Sequence, residues 1–309
     1  MKVKIWRDPY DCGVNITKKR EIDFPTGLTI FVGCNGAGKS TLLRNIKEFC
    51  SSNNFPCIGY DNLHDGGHHS LSNAMYFGNF SEGALLLSSS EGECVKINAS
   101  RFLNGLKEFV QNGFEEDFGY RFAKHGLGVD LAENLNKDIR VILLDALDSG
   151  LSVDSLVELR EALDALNSDI ENTGLEYYIF VTANEYELTV NHRCLDVESG
   201  KFVTFSDYND YRDFIVNSRK KKEERIDHML SYIEKKRAKE LEKYKKIVEK
   251  AEIDRQKILS KYPPGTDVKS MGLDRYELDS IDRRAEDYLY HGSRYLSEED
   301  VKTLSYSRK

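Results

Sequence analysis

The chain has 309 residues, 40% of them hydrophobic and 31% charged, with a formal net charge of −8. That length suits one large domain or a domain with an appendage, no apolar stretch approaches the roughly 20 residues that span a bilayer, and the acidic balance excludes a general polyanion binder. The N-terminus MKVKIWRDPYDCGVNI has no apolar core or small-residue cleavage site, and the six cysteines form no CxxC pair, so a reduced cytoplasmic protein without a disulfide framework or zinc ribbon is expected.

Apolar residues around Val3, Ile5 and Ile16 read as short strands separated by the turn-forming DPYDCG, and LTIFV, from Leu28 to Val32, reads as a buried strand after FPTG. This strand runs into GCNGAGKST and then TLLRNIKEF, whose Leu42, Leu43, Ile46 and Phe49 recur at helical spacing. Residues 51–92 are rich in Ser, Asn, Gly and His and read as an irregular or partly stranded insertion. Ile97, Phe102, Leu103, Leu106, Phe109 and Val110 suit a helix over 95–110, and a loop-rich stretch follows to Asp138. A strand from Val141 to Leu144, a helix from Val153 to Leu166 and a strand from Glu176 to Val181 complete the alternation. Strands alternating with helices predict an α/β fold with a mainly parallel sheet flanked by helices.

Composition changes after Phe214. Residues 218–261 form a long charged helix with an intermittent apolar seam at Ile226, Leu230, Ile233, Tyr244, Val248, Ala251 and Ile258. Arg237 and Arg255 interrupt the seam where a strict heptad wants apolar side chains, which argues against an uninterrupted coiled coil and for an antiparallel helical arm or a packed helix. Pro263, Pro264 and Gly265 end it. The expected division is therefore a domain over 1–216, carrying an irregular insertion over about 51–138, and a C-terminal arm and tail over 217–309.

Gly33 to Thr41 satisfies the P-loop pattern in the context that makes it credible, between a strand and a helix. Its glycines, Gly33, Gly36 and Gly38, let the backbone curl around Asn35 and Ala37 so that successive amides point at phosphate oxygens, and the helix N-terminus adds its positive dipole end. Lys39 is the expected contact to the β and γ phosphates, and the Ser40 hydroxyl is the expected magnesium ligand, with Thr41 completing the pattern. The apolar run VILLD ends at Asp145, the natural magnesium partner of a P-loop. ATP and Mg2+ are the cofactors this predicts.

The asparagine at the third loop position, giving GxNGxGKST, resembles the ABC-type ATPases, and among them the soluble branch of chromosome-maintenance, recombination-repair and OLD-like defence proteins. SGLS, Ser149 to Ser152, resembles that family's D-loop, and SSEGE, Ser89 to Glu93, resembles its signature. The resemblance covers most of residues 1–205. It implies a composite site in which the P-loop of one subunit and the signature of another enclose ATP, so that nucleotide closes a homodimer. Ser90, Gly92 and Glu93 at the start of a helix would then face the partner's γ-phosphate. It also implies a protein effector such as a nuclease, in phage defence or DNA maintenance.

The sequence departs from that family at several positions. Ala146 stands where the family has the glutamate that polarises water, Asn184 stands where it has the switch histidine, and Glu91 stands at a signature glycine. Loss of a general base costs about 10²- to 10⁴-fold in rate, and Asp148 is the candidate substitute. Asn184 can hydrogen-bond a phosphate but cannot carry its proton. The family's Q-loop glutamine has no clear counterpart; Asp61 or Asn62 is the nearest candidate. Slow hydrolysis, or ATP used as a structural ligand by an interaction protein, are the two readings this leaves. HDGGHH, with His64, His68 and His69 beside Asp65, lacks the geometry of a metal helix and reads as a polar loop. Arg219 to Lys222 and the basic helix after them read either as a solvated face or as a contact to a phosphate backbone or an acidic partner.

Overall fold

The computed structural model describes residues 1–62, 138–291, 295–297 and 300, with isolated positions at 93–94, 97, 102, 106 and 109–110. Two compact units divide the chain: Met1–Pro9 with Val14–Glu224, and Tyr10–Gly13 with Arg225–Lys309.

The first unit is built on a sheet of β3 (Gly27–Val32), β4 (Cys57–Asp61), β5 (Ile139–Asp145), β6 (Glu176–Thr182), β7 (Cys194–Asp196) and β8 (Lys201–Val203), in the order β4-β5-β6-β3-β7-β8. All pairings are parallel except β7 with β8. A separate antiparallel pair joins β1 (Lys2–Lys4) and β2 (Glu21–Asp23). The central strands are buried along most of their length because both faces are covered. Ile142, Leu144, Ile179 and Val181 face one layer, which holds Leu159, Leu163 and Ile170 of α2 (Val153–Glu171) with Leu106, Phe109 and Val110. Val141, Leu143, Tyr178 and Phe180 face the other, against Leu42 and Ile46 of α1 (Lys39–Ser52) and Val3, Ile22 and Phe24 of the hairpin. This is the period-2 alternation of a strand, with each face supplied by a different layer.

The expected mixed α/β fold with a mostly parallel sheet is present. The expected strands over 28–32, 141–144 and 176–181, the helix after the glycine-rich loop and the helix over 153–166 recur with shifts at their ends. Several elements differ. β4 lies inside the stretch read as irregular or partly stranded, where the sequence marks no particular strand: CIGYD is short, with Gly59 in its middle and only Ile58 and Tyr60 buried, and it is held by its pairing with β5. Ile16 is buried but lies outside any strand, whereas β2, EID, has a single buried residue between two charges. The described positions between 93 and 110 are helical. Arg140, the second residue of β5, donates from Nε to the Phe109 and Val110 carbonyls at 3.2 and 3.1 Å, so its buried charge is met by backbone oxygens.

The charged helix is longer than the sequence predicts, since α3 spans Tyr208–Leu259. It begins early because Asp207 caps it, its carboxylate accepting the N–H groups of Asn209 and Asp210. In the second unit, the later turns of α3 and α4 (Leu273–His291) bury Ala251, Ile258, Met271, Leu278 and Ile281. The two arginines that break the seam have partners on the returning chain, Arg255 with Asp282 at 3.4 Å and Arg237 with Asp300. The seam itself is uneven: Tyr244, Ala251 and Ile258 are buried, whereas Ile226 and Leu230 are exposed. In the same unit the ring of Tyr232 lies so close to Gly13 that a Cβ there would come within 2.6 Å of it. Among the described residues no helix is long and apolar enough to cross a membrane.

Candidate functional site

β3 is flanked by β6 and β7 and delivers Gly33 at its carboxyl end. Gly33 and Gly36 have φ of 148° and 79°, in the region that favours glycine, and a Cβ on Gly33 would lie 2.9 Å from that of Ala37. The Ala37 N–H donates to the Cys34 carbonyl at 3.0 Å and closes the turn. α1 starts at Lys39 with no side-chain cap at Gly38 and no acidic residue in its first turn. Its N-terminal amides are therefore left for an anion. Lys39 is buried, and its Nζ donates to the Gly33 and Cys34 carbonyls at 2.7 and 3.4 Å. Burial pulls the Lys39 pKa below its ordinary value, with the Asp148, Cys34 and Asp145 charges opposing and the Lys222 charge assisting. A desolvated ammonium against uncapped amides fits a phosphate group. Ser40 is exposed and Thr41 buried.

Asp145 ends β5, and the register sets it beside Asp61 of β4. Its Oδ1 accepts the Thr182 hydroxyl at 2.6 Å, and the Thr182 oxygen in turn accepts the Ala146 N–H at 2.8 Å. Ala146 has a left-handed backbone, φ 54°. Asn62, one of the two Q-loop candidates, is buried and donates from Nδ2 to the Ala146 and Ser149 carbonyls at 3.1 and 3.0 Å, holding the turn after β5 from the neighbouring strand.

Asp148 is buried and fully engaged. Its carboxylate accepts the Asn184 N–H, the Asn184 Nδ2–H at 3.2 Å and the Glu185 N–H at 2.9 Å. Burial raises its pKa, against the pull of these donors. Asp148 and Asn184, singled out separately in the sequence, are therefore bonded to each other. The tyrosine hydroxyl of Tyr211 donates to the Asn184 carbonyl at 2.7 Å.

The structure brings together Lys39 and the loop from Gly33 on one side and joins Asp148 to Asn184 on the other. Ser90, Gly92 and the histidines of HDGGHH lie outside the described residues, and Glu93 is helical and exposed. Among the described residues no cluster of three or more His, Cys, Asp or Glu could hold a metal ion. Sequence reasoning passed over Thr182 and Ser218, and read Lys222 only within the basic run from Arg219, as a solvated face or a contact to a phosphate backbone or an acidic partner, not as a neighbour of the phosphate loop. FVTAN at the end of β6 offered Thr182 as a hydroxyl one strand away from Asp145, but nothing local marks Ser218 or sets Lys222 apart from its basic neighbours, and both reach the loop from a distant helix.

Residues 12–84 match the family model of an AAA domain, a P-loop ATPase family related to the SMC- and ABC-type ATPases. The match spans the phosphate loop, α1 and β4, and it supports nucleotide binding and ATPase chemistry for this segment. Among curated proteins none matches the chain.

Proposed function

We propose that this protein is a soluble, cytoplasmic ABC-type ATPase of the SMC-like kind. It binds Mg-ATP, closes as a homodimer around it, hydrolyses it slowly and gates a partner effector such as a nuclease in phage defence or DNA maintenance. The observation that carries the nucleotide reading is the buried Lys39 ammonium over the carbonyls of a curled loop whose helix has no cap of its own. The dimer, the effector and the defence setting rest on the sequence resemblance.

Within this reading Lys39 and the α1 amides hold the β and γ phosphates. Ser40 and Asp145 would hold magnesium, which supplies charge neutralisation at the phosphate oxygens. Thr182 fixes the Asp145 carboxylate, and Asn62 fixes the turn that follows. Ala146 has no proton acceptor, and Asp148 spends its oxygens on the amides of 184 and 185. Asp148 therefore serves as the base only after releasing those amides, and turnover is slow. Uncleaved ATP keeps the closed state populated for as long as it stays bound. The engaged Asp148 equally favours a second reading, an ATP-dependent interaction protein that does not hydrolyse.

Sedimentation with and without Mg-ATP, with phosphate release read on the same samples, tests both. A dimer with ATP and release above that of Lys39→Ala supports the slow ATPase. A dimer with release equal to that of the variant supports the non-hydrolysing form, and a monomer in both conditions removes the composite site.

A further inference from the structure

The first turns of α3 belong to the same compact unit as the phosphate loop. They present Tyr211 to the Asn184 carbonyl, the Ser218 hydroxyl to the Cys34 N–H at 3.1 Å, and Lys222 Nζ to the Asn35 carbonyl at 2.6 Å. Positions 211, 218 and 222 share one face of a helix, so one rigid element touches both loops. A Cβ on Gly36 would come within 2.7 Å of Lys222 Nζ, which places this ammonium over the glycines of the loop. The basic run is thereby divided: Arg219, Lys220 and Lys221 are exposed, whereas Lys222 is half-buried on the loop.

Lys39 has carboxylate charges near it, those of Asp148 and Asp145. Among the described residues no carboxylate forms a salt bridge with Lys222. An ammonium has three donors, and one rests on Asn35. Lys39 lies on the carbonyls of Gly33 and Cys34, and Lys222 lies on the carbonyl of the next residue, so two cations follow one another along one rim of the loop. The P-loop lysine reaches the β and γ phosphates. A second ammonium farther along the rim meets the terminal end of the phosphate chain.

We propose that Lys222 is a specificity residue of this site, a cation that α3 supplies to the terminal phosphate of a nucleoside triphosphate, so that the site prefers triphosphate over diphosphate. The inference rests on the nucleotide-binding reading above. A diphosphate engages Lys39 and the α1 amides; a triphosphate also draws one or more Lys222 donors, at a point where charge develops during phosphoryl transfer. Ser218 holds the same stretch of loop in register with the helix.

The test titrates fluorescent ATP and ADP analogues, with magnesium, into the full chain and into Lys222→Met, Lys222→Arg and Lys39→Ala. Methionine keeps the stem and the helix propensity while removing the charge. In Lys222→Met the ATP affinity falls about tenfold and the ADP affinity changes by less than about twofold, whereas Lys222→Arg retains most of the preference. Equal losses for both nucleotides mean that Lys222 only braces the loop, and no loss means that it is an ordinary surface side chain; either overturns the proposal. Lys39→Ala keeps the two claims apart, because it weakens both ATP and ADP, whereas Lys222→Met spares ADP. If the parent chain binds neither nucleotide, or the Lys39 variant binds both unchanged, the nucleotide site itself fails and the Lys222 assignment falls with it.

Discussion

The phosphate loop and the loops after β5 and β6 sit at the same end of the sheet and are held by different means. The phosphate loop is shaped by its own backbone, through glycines at positive φ, one turn-closing hydrogen bond and a lysine folded back onto carbonyls of the same nonapeptide. The turn from Asp145 to Asp148 is shaped by side chains from elsewhere, Thr182 on β6, Asn62 after β4 and the amides of 184 and 185. The first region holds charge ready for a ligand. The second has the Asp148 carboxylate already engaged within the protein. This division underlies the proposal that the site binds a phosphate chain more readily than it activates water.

Lys39→Ala is the largest test of the contrast. Wild-type protein gains about 2.7 kcal/mol at a ligand concentration a hundredfold above Kd, and the variant shows no shift of melting temperature with Mg-ATP. Without nucleotide the variant is no less stable than the parent, because the substitution removes a desolvated charge; an unchanged ATP-dependent shift would break the comparison at its first term. Asp148→Ala comes next. It leaves backbone donors without an acceptor and lowers stability by about 1–3 kcal/mol, read as a lower midpoint in urea, with a smaller effect on nucleotide affinity than Lys39→Ala.

Thr182→Val removes the hydroxyl that joins Asp145 to the Ala146 amide, at a cost of about 1 kcal/mol. Its sharper signature is a higher magnesium requirement for nucleotide-induced stabilisation, with metal-free binding unchanged. The smallest effect lies away from both loops. Burial holds the His192 pKa below its ordinary value of 6.5, with the nearby Asp164 opposing. The unfolded chain therefore binds more protons below that pH, and stability is lost as the pH falls through 6.5 toward the lowered value. His192→Gln flattens this part of the pH profile of thermal unfolding.

The phosphate loop was legible because everything that shapes it is contiguous: a buried strand, glycines at fixed offsets and the first turn of a helix. Asp145 was legible as the last residue of an apolar run. What surrounds it was not, since the bonds from Thr182, Asn62 and Asn184 span long separations and no local pattern records them. β4 was not legible within its partly stranded stretch because its core-facing residues are only Ile58 and Tyr60 around a glycine, too few to mark where a short strand begins and ends. The early start of α3 escaped because its first turns are mostly polar on the outside, and their inner face, Tyr211 and Ser218, answers to loops that the sequence does not place next to it. Arg237 and Arg255 were correctly read as breaks in the seam. Their reason emerged only with the chain that returns to meet them.

The left-handed turn at Ala146 bears on how this protein could be changed by mutation. A side chain on a residue with φ 54° leaves the backbone in a different direction from one on an extended or right-handed residue. A glutamate written into position 146 therefore leaves the backbone in the direction that this left-handed turn sets. To reach the direction of an ordinary strand end, the peptide must rotate and give up the bond from its N–H to Thr182. Any change that takes position 146 out of the left-handed region therefore also breaks the bond that ties Thr182, and through it Asp145, to this turn.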